Sequence, residues 1–120
     1  MTRRSVTPAL GDIVEAIGRI RSALDGVSLE AFEGDWQKRW LVERGLEIVS
    51  EASRRLGDDV KARHDAIPWR KVAGIGNVLR HDYERIAPDI LWKLAHDDLP
   101  RLEACCRAEL AAITGNGALR

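Results

Sequence analysis

The chain has 120 residues, the size of a single domain, and its 45% apolar and 32% charged residues with 10 Gly and 4 Pro exclude a disordered, collagen-like or low-complexity sequence. Nineteen Lys and Arg balance nineteen Asp and Glu, so the formal net charge is zero. A neutral chain exerts no general pull on nucleic acid or an anionic membrane, and any such contact must come from a local basic patch.

Strand patterns are nearly absent, and helical spacing dominates. The first predicted helix runs from Pro8 to Asp25. Thr7 is placed to cap it, Pro8 suits the first helical position, and Leu10, Ile13, Val14, Ile17, Ile20 and Leu24 recur at steps of three and four. Gly26 stands where a left-handed terminal residue is wanted. A short piece, Leu29 to Phe32, follows. Gly34 then breaks the chain, and Asp35 can cap a long helix from Trp36 to Leu56, ended by Gly57. This helix is apolar on two sides, through Trp36, Trp40, Val42, Leu46, Val49 and Leu56 on one and Leu41, Gly45, Ile48 and Ala52 on the other. It belongs at the centre of a bundle or against a second subunit. Its Lys38, Arg44, Arg54 and Arg55 suit a solvated face, or a basic strip lining a cleft.

Asp58 and Asp59 open a helical turn through Ala62. A third long helix is predicted from Pro68-Trp69 to about Arg80, followed by a non-helical elbow from His81 to Ala87. Pro88 starts the last helix, which continues to about Ile113 with a break near Asp97–Leu99 ahead of Pro100. Residues 114–120 read as a tail. The expected architecture is a single all-α domain over 1–120, an up-down bundle of four to five helices. Cys105 and Cys106 are adjacent, which suits reduced thiols rather than a disulfide or a zinc site. No apolar run is long enough to span a bilayer, and no apolar segment follows the basic Met1-Thr-Arg-Arg start, so a cytoplasmic location is expected.

Candidate chemistry is sparse. His64, His81 and His96 are each followed by Asp, but neighbouring helical residues point about 100° apart, so these dipeptides do not make metal sites. No metal and no cofactor is expected; phosphate-loop, dinucleotide and serine-hydrolase motifs are missing. The informative stretch is Ile67 to Ile86. Asn77 and His81 lie four apart, on one helix face if the helix extends that far, with Tyr83 beyond them and Arg70, Arg80 and Arg85 nearby. A histidine that exchanges protons near neutral pH beside arginines is the equipment for RNA cleavage through the ribose 2′-hydroxyl. The same residues also suit a plainer role, an Asn–His pair closing a helix.

Leu10-Gly-Asp-Ile-Val-Glu-Ala-Ile, Phe32-Glu-Gly-Asp, Ile67-Pro-Trp, Ile90-Leu-Trp and Asp98-Leu-Pro occur in an order that resembles the HepT-like branch of the HEPN superfamily over residues 9–106. The signature of that family, Arg-Asn-x-x-x-His-x-Tyr, aligns with Gly76-Asn77-Val-Leu-Arg-His81-Asp-Tyr83. The resemblance implies a homodimer whose paired motifs form one metal-independent RNA-cleaving cleft. It also implies a toxin neutralised by a minimal nucleotidyltransferase antitoxin that transfers AMP to the signature tyrosine. By carry-over, His81 is the general acid/base, Asn77 orients the site and Tyr83 accepts the nucleotide. Gly76 departs from the pattern, since it supplies no guanidinium. Arg80, ahead of Arg70, is the candidate replacement, and the alternative is a nuclease-degenerate dimer that serves as partner and substrate of the nucleotidyltransferase. A bundle binding a nucleotide between protomers is a third, plainer reading.

Overall fold

The computed structural model describes residues 5–82 and 87–118, and all of its regular structure is helical. In chain order the helices are α1 (Thr7–Leu24), α2 (Leu29–Glu33), α3 (Trp36–Ser53), α4 (Asp58–Arg63), α5 (Trp69–Asp82), α6 (Pro88–Asp97) and α7 (Leu99–Ala118). The all-α bundle expected from the sequence is therefore present.

The apolar stripe of α1 becomes the heart of the core. Leu10, Ile13, Ile17 and Ile20 have no exposed surface, and each contributes roughly 1.5–3 kcal/mol by leaving water. Helix α3 lies between α1 and α5 and also touches α2 and α6, while α1 packs on α7 as well. A helix with neighbours on several sides needs more than one apolar stripe, which explains the double face read from its sequence. Gly45 marks where α1 and α3 approach most closely; a β-carbon there would sit 2.6 Å from Ile20 Cδ1. Trp69 and Trp92 pack against the core, whereas Trp36 and Trp40 are 59% and 64% exposed and meet edge to face at 4.8 Å.

Several helix ends follow the predicted chemistry. Asp35 accepts from the Lys38 N–H at 3.0 Å, Gly26 adopts φ +70°, Pro88 opens α6, and the break before Pro100 falls at Asp98. Others differ. Thr7 is the first residue of α1, not its cap; its N–H donates instead to Ser5 Oγ at 3.2 Å. Helix α3 stops at Ser53, before the expected Leu56, because the N–H groups of Arg54, Arg55 and Leu56 tighten onto carbonyls three residues back. Helix α5 continues through His81 to Asp82, so the elbow does not begin at His81. Nothing from 80 to 82 breaks a helix, and the extended residue forced by Pro88 is Ala87 (φ −67°, ψ 146°). Residues 83–86 of that elbow, Tyr83 among them, lie outside the described residues. Helix α7 runs past Ile113 to Ala118.

Two buried carboxylates tie the bundle together. Glu109 of α7 receives Arg63 Nη2 at 2.6 Å and Nε at 3.1 Å, and His64 Nε2 lies 2.7 Å away. The Arg63 hydrogen bonds, against the opposing effect of burial and with help from His64, hold the Glu109 carboxyl down to about 2. Burial pushes Glu103 the other way, but Arg21 and Arg107 outweigh it and keep that carboxyl below its ordinary value. Cys105 and Cys106 are free and buried, and burial pushes the Cys106 thiol up to about 12, far from a reactive thiolate. Among the described residues no helix is long and apolar enough to cross a membrane.

Candidate functional site

Trp69 starts α5 and fixes its position, its indole N–H donating to the His64 carbonyl at 3.0 Å. From there Val72, Gly76 and Leu79 face inward, while Arg70, Lys71, Asn77, Val78, Arg80 and His81 are exposed. Because α5 remains helical through Asp82, Asn77 and His81 sit one turn apart with β-carbons about 5–6 Å from each other. Arg80, three residues after Asn77, borders the same face. The sequence-predicted trio of Asn77, Arg80 and His81 is thus brought together on one exposed strip. Neither Asn77 nor His81 makes a side-chain hydrogen bond to a described residue, and α5 continues past both to Asp82.

The other two histidines serve the fold. His64 bonds Glu109, while His96 donates from Nδ1 to the Trp92 carbonyl at 2.8 Å and stacks on the Trp92 ring at 3.9 Å. His81 is exposed and has no such tie among the described residues, which separates it from two residues that look the same in sequence.

Gly76 is the point where α3 reaches α5. The Ser50 hydroxyl donates to the Ala73 carbonyl at 2.7 Å and accepts from the Gly76 N–H at 3.1 Å, inserting a side chain of one helix into the backbone ladder of the other. A β-carbon on Gly76 would lie 3.0 Å from Ser50 Oγ and 3.3 Å from Arg80 Nη1. The missing side chain therefore has two consequences: Ser50 fits, and the Arg80 guanidinium folds back over the turn that Gly76 begins. Long helical side chains lean toward the N-terminus in this way, so no unwinding is required to bring Arg80 to the motif.

Charge is unevenly distributed around this strip. Arg19, Arg21, Arg39, Arg44, Arg55, Arg63 and Arg107 each have a carboxylate within 4 Å. Among the described residues Arg54, Arg70, Arg80 and Arg101 have none, and three of these four are on α5 or bonded to it. Lys38, Arg44 and Arg55, grouped in the sequence reading with Arg54, pair with Asp35, Glu47 and Asp12 respectively. Arg54 instead reaches α5, which the sequence reading did not foresee. Among the described residues, no three His, Cys, Asp or Glu side chains gather as a metal-binding group.

Comparison with known proteins agrees with the resemblance read from the motifs. The family model described as Ribonuclease HepT-like matches residues 13–109. A protein of Methanocaldococcus jannaschii, named "Putative RNase MJ1380", is 31% identical over 103 residues, covering 86% of this chain and 94% of its own. A "Probable ribonuclease HepT" of Thermococcus cleftensis is 37% identical over 101 residues, covering 84% and 92%. No solved structure matches the chain.

Proposed function

The chain belongs to the HepT-like ribonuclease family, and from that premise we propose that it is a metal-independent endoribonuclease acting as a homodimer, the toxin of a pair whose nucleotidyltransferase antitoxin silences it. The observation that carries this reading is the exposed strip in which His81, untied to any described residue, stands one turn from Asn77 and beside Arg80. In this mechanism His81 takes the proton from a ribose 2′-hydroxyl. The O2′–P bond forms as the P–O5′ bond breaks, leaving a 2′,3′-cyclic phosphate, and a protonated His81 of the partner subunit returns a proton to the departing 5′-oxygen. Asn77 orients the phosphodiester, and Arg80 stabilises charge on the phosphorane. The exposed Trp36–Trp40 pair supplies apolar area for the dimer. Tyr83, two residues past His81, is the AMP acceptor.

Purified protein incubated with RNA should cleave at a rate that His81→Ala lowers on the order of a hundredfold or more. Equal rates, or no cleavage by either, reject the nuclease. AMP transfer is tested by intact mass after incubation with ATP and the nucleotidyltransferase: one AMP-sized increment is expected, absent in Tyr83→Phe.

Gly76 favours a second reading, a nuclease-degenerate dimer that remains partner and substrate of the nucleotidyltransferase. Gain of cleavage in Gly76→Arg made together with Ser50→Ala, which removes the hydroxyl 3.0 Å from the new β-carbon, supports degeneracy over replacement by Arg80.

A further inference from the structure

Arg54 holds an unusual position for an exposed arginine. It is the first residue after α3, where Arg55 next to it turns to Asp12 at 2.8 Å. Arg54 has no carboxylate partner among the described residues. Its Nη2 donates to the Ala73 carbonyl of α5 at 2.8 Å and its Nε to the same oxygen at 3.3 Å. In an α-helix the carbonyl of residue 73 points to the level of the N–H of residue 77. The Arg54 guanidinium is therefore docked against the turn that runs from Ala73 to Asn77, although its own Cα lies just past the end of α3. Two N–H donors are directed at one neutral oxygen; a guanidinium has five, so three remain for a ligand.

Arg80 arrives at the same turn from the other direction, its Nη1 3.3 Å from where a Gly76 β-carbon would be. Both guanidinium groups thus lie on the turn from Ala73 to Gly76, and neither has a carboxylate partner among the described residues. Seven other described arginines have a carboxylate within 4 Å, and only Arg70 and Arg101 share the lack of a described partner, so this arrangement is not the general habit of the described residues. An acceptor that suits guanidinium groups held on one helical turn is a phosphate diester, whose oxygens accept bidentate N–H bonds.

We infer that Arg54 is a phosphate-binding residue of this site, holding with Arg80 the RNA phosphodiester presented to His81. The inference rests on the reading of this face as an RNA site. It assigns to α3 a direct part in substrate binding, with the Ala73 carbonyl as the brace that presents Arg54.

The test uses the full chain and a fluorescein-labelled single-stranded oligonucleotide with 2′-O-methyl riboses, which cannot be cut through the 2′-oxygen. Binding is followed by anisotropy across a NaCl series. Arg54→Gln keeps an amide that can still donate to Ala73, so its melting temperature should stay at the wild-type value while affinity falls about three- to tenfold. The slope of log affinity against log salt should flatten by about 0.7 for each lost contact, and by about twice that in Arg54→Gln with Arg80→Gln. Arg54→Lys should recover most of the slope, and Arg101→Gln, an unpaired arginine on α7, should leave it unchanged. Wild-type slope and affinity in Arg54→Gln, an equal loss in Arg101→Gln, or a loss that tracks a lowered melting temperature and is not restored by lysine overturns the inference. So does failure of the wild type to bind the oligonucleotide. Cleavage of unmodified RNA by wild type and His81→Ala, run in parallel, judges the nuclease separately: equal rates reject catalysis and leave the salt slopes to decide Arg54.

Discussion

The two sides of this small bundle treat arginine in opposite ways. Around α7, Arg21, Arg63 and Arg107 surround the buried carboxylates of Glu103 and Glu109, and each of these three guanidinium groups is neutralised at close range. Along the seam of α3 and α5, Arg54 and Arg80 rest on a carbonyl and over a glycine, and no described carboxylate answers them. The first arrangement holds helices together; the second leaves positive charge on offer. Since the chain is neutral as a whole, the contrast teaches that a local positive field can be made by where the carboxylates are withheld.

The largest effect should come from breaking the structural side. Glu109→Gln removes the negative charge and one of the two acceptor oxygens that face Arg63 and His64 and should lower unfolding free energy at neutral pH by about 2 kcal/mol, with RNA cleavage per folded molecule unchanged. The folded carboxyl lies below its ordinary value of 4.5, so its contribution is complete above about pH 4.5 and is lost as pH falls toward about 2. Denaturant unfolding from pH 7 to pH 2 should show that acid-dependent loss in the wild type and a flatter profile in Glu109→Gln. Next comes a carboxylate added to the open side. Gly74 has room for a side chain, and Gly74→Glu places an acid one turn from Arg70. RNA affinity should drop about tenfold while the melting temperature rises, because glutamate favours helix over glycine by roughly 0.5 kcal/mol.

A smaller effect separates two glycines of one helix. Gly74→Ala should stabilise by about 0.8 kcal/mol, whereas Gly76→Ala should destabilise by about 1 kcal/mol, because Ser50 Oγ is bonded on both sides and cannot yield freely to the new methyl. Thermal unfolding of the pair reads the difference. Smallest of all, Arg101→Gln should change stability by less than about 0.5 kcal/mol and leave RNA binding as it was.

Local chemistry was legible in the sequence. The α1 stripe, the Asp35 cap, the left-handed Gly26, the proline at the head of α6 and the break at Asp98 all rest on interactions within a few residues of one another. Asn77 and His81 were legible as one face for the same reason. Helix ends were harder, because three consecutive i-to-i−3 bonds after Ser53, or the absence of any breaker between Arg80 and Asp82, leave little trace in composition. What could not be read were contacts between distant positions. Glu109 lies 45 residues from His64, and Arg54 lies 19 from Ala73. In sequence, Arg54 and Arg55 are equivalent charges on a helix end, and only the packing of α3 between α1 and α5 sends one to the Asp12 carboxylate and the other to the Ala73 carbonyl.

The Ser50 hydroxyl wedged against Gly76 also bears on how this chain could change over generations. Regaining arginine at position 76 takes more than one favourable codon change, since the obstacle is the first carbon of any new side chain and not the guanidinium at its tip. A single replacement would strain the α3–α5 seam before it could contribute to chemistry. Ser50 thus sets an order for two changes, with position 50 giving way before position 76 can carry a side chain.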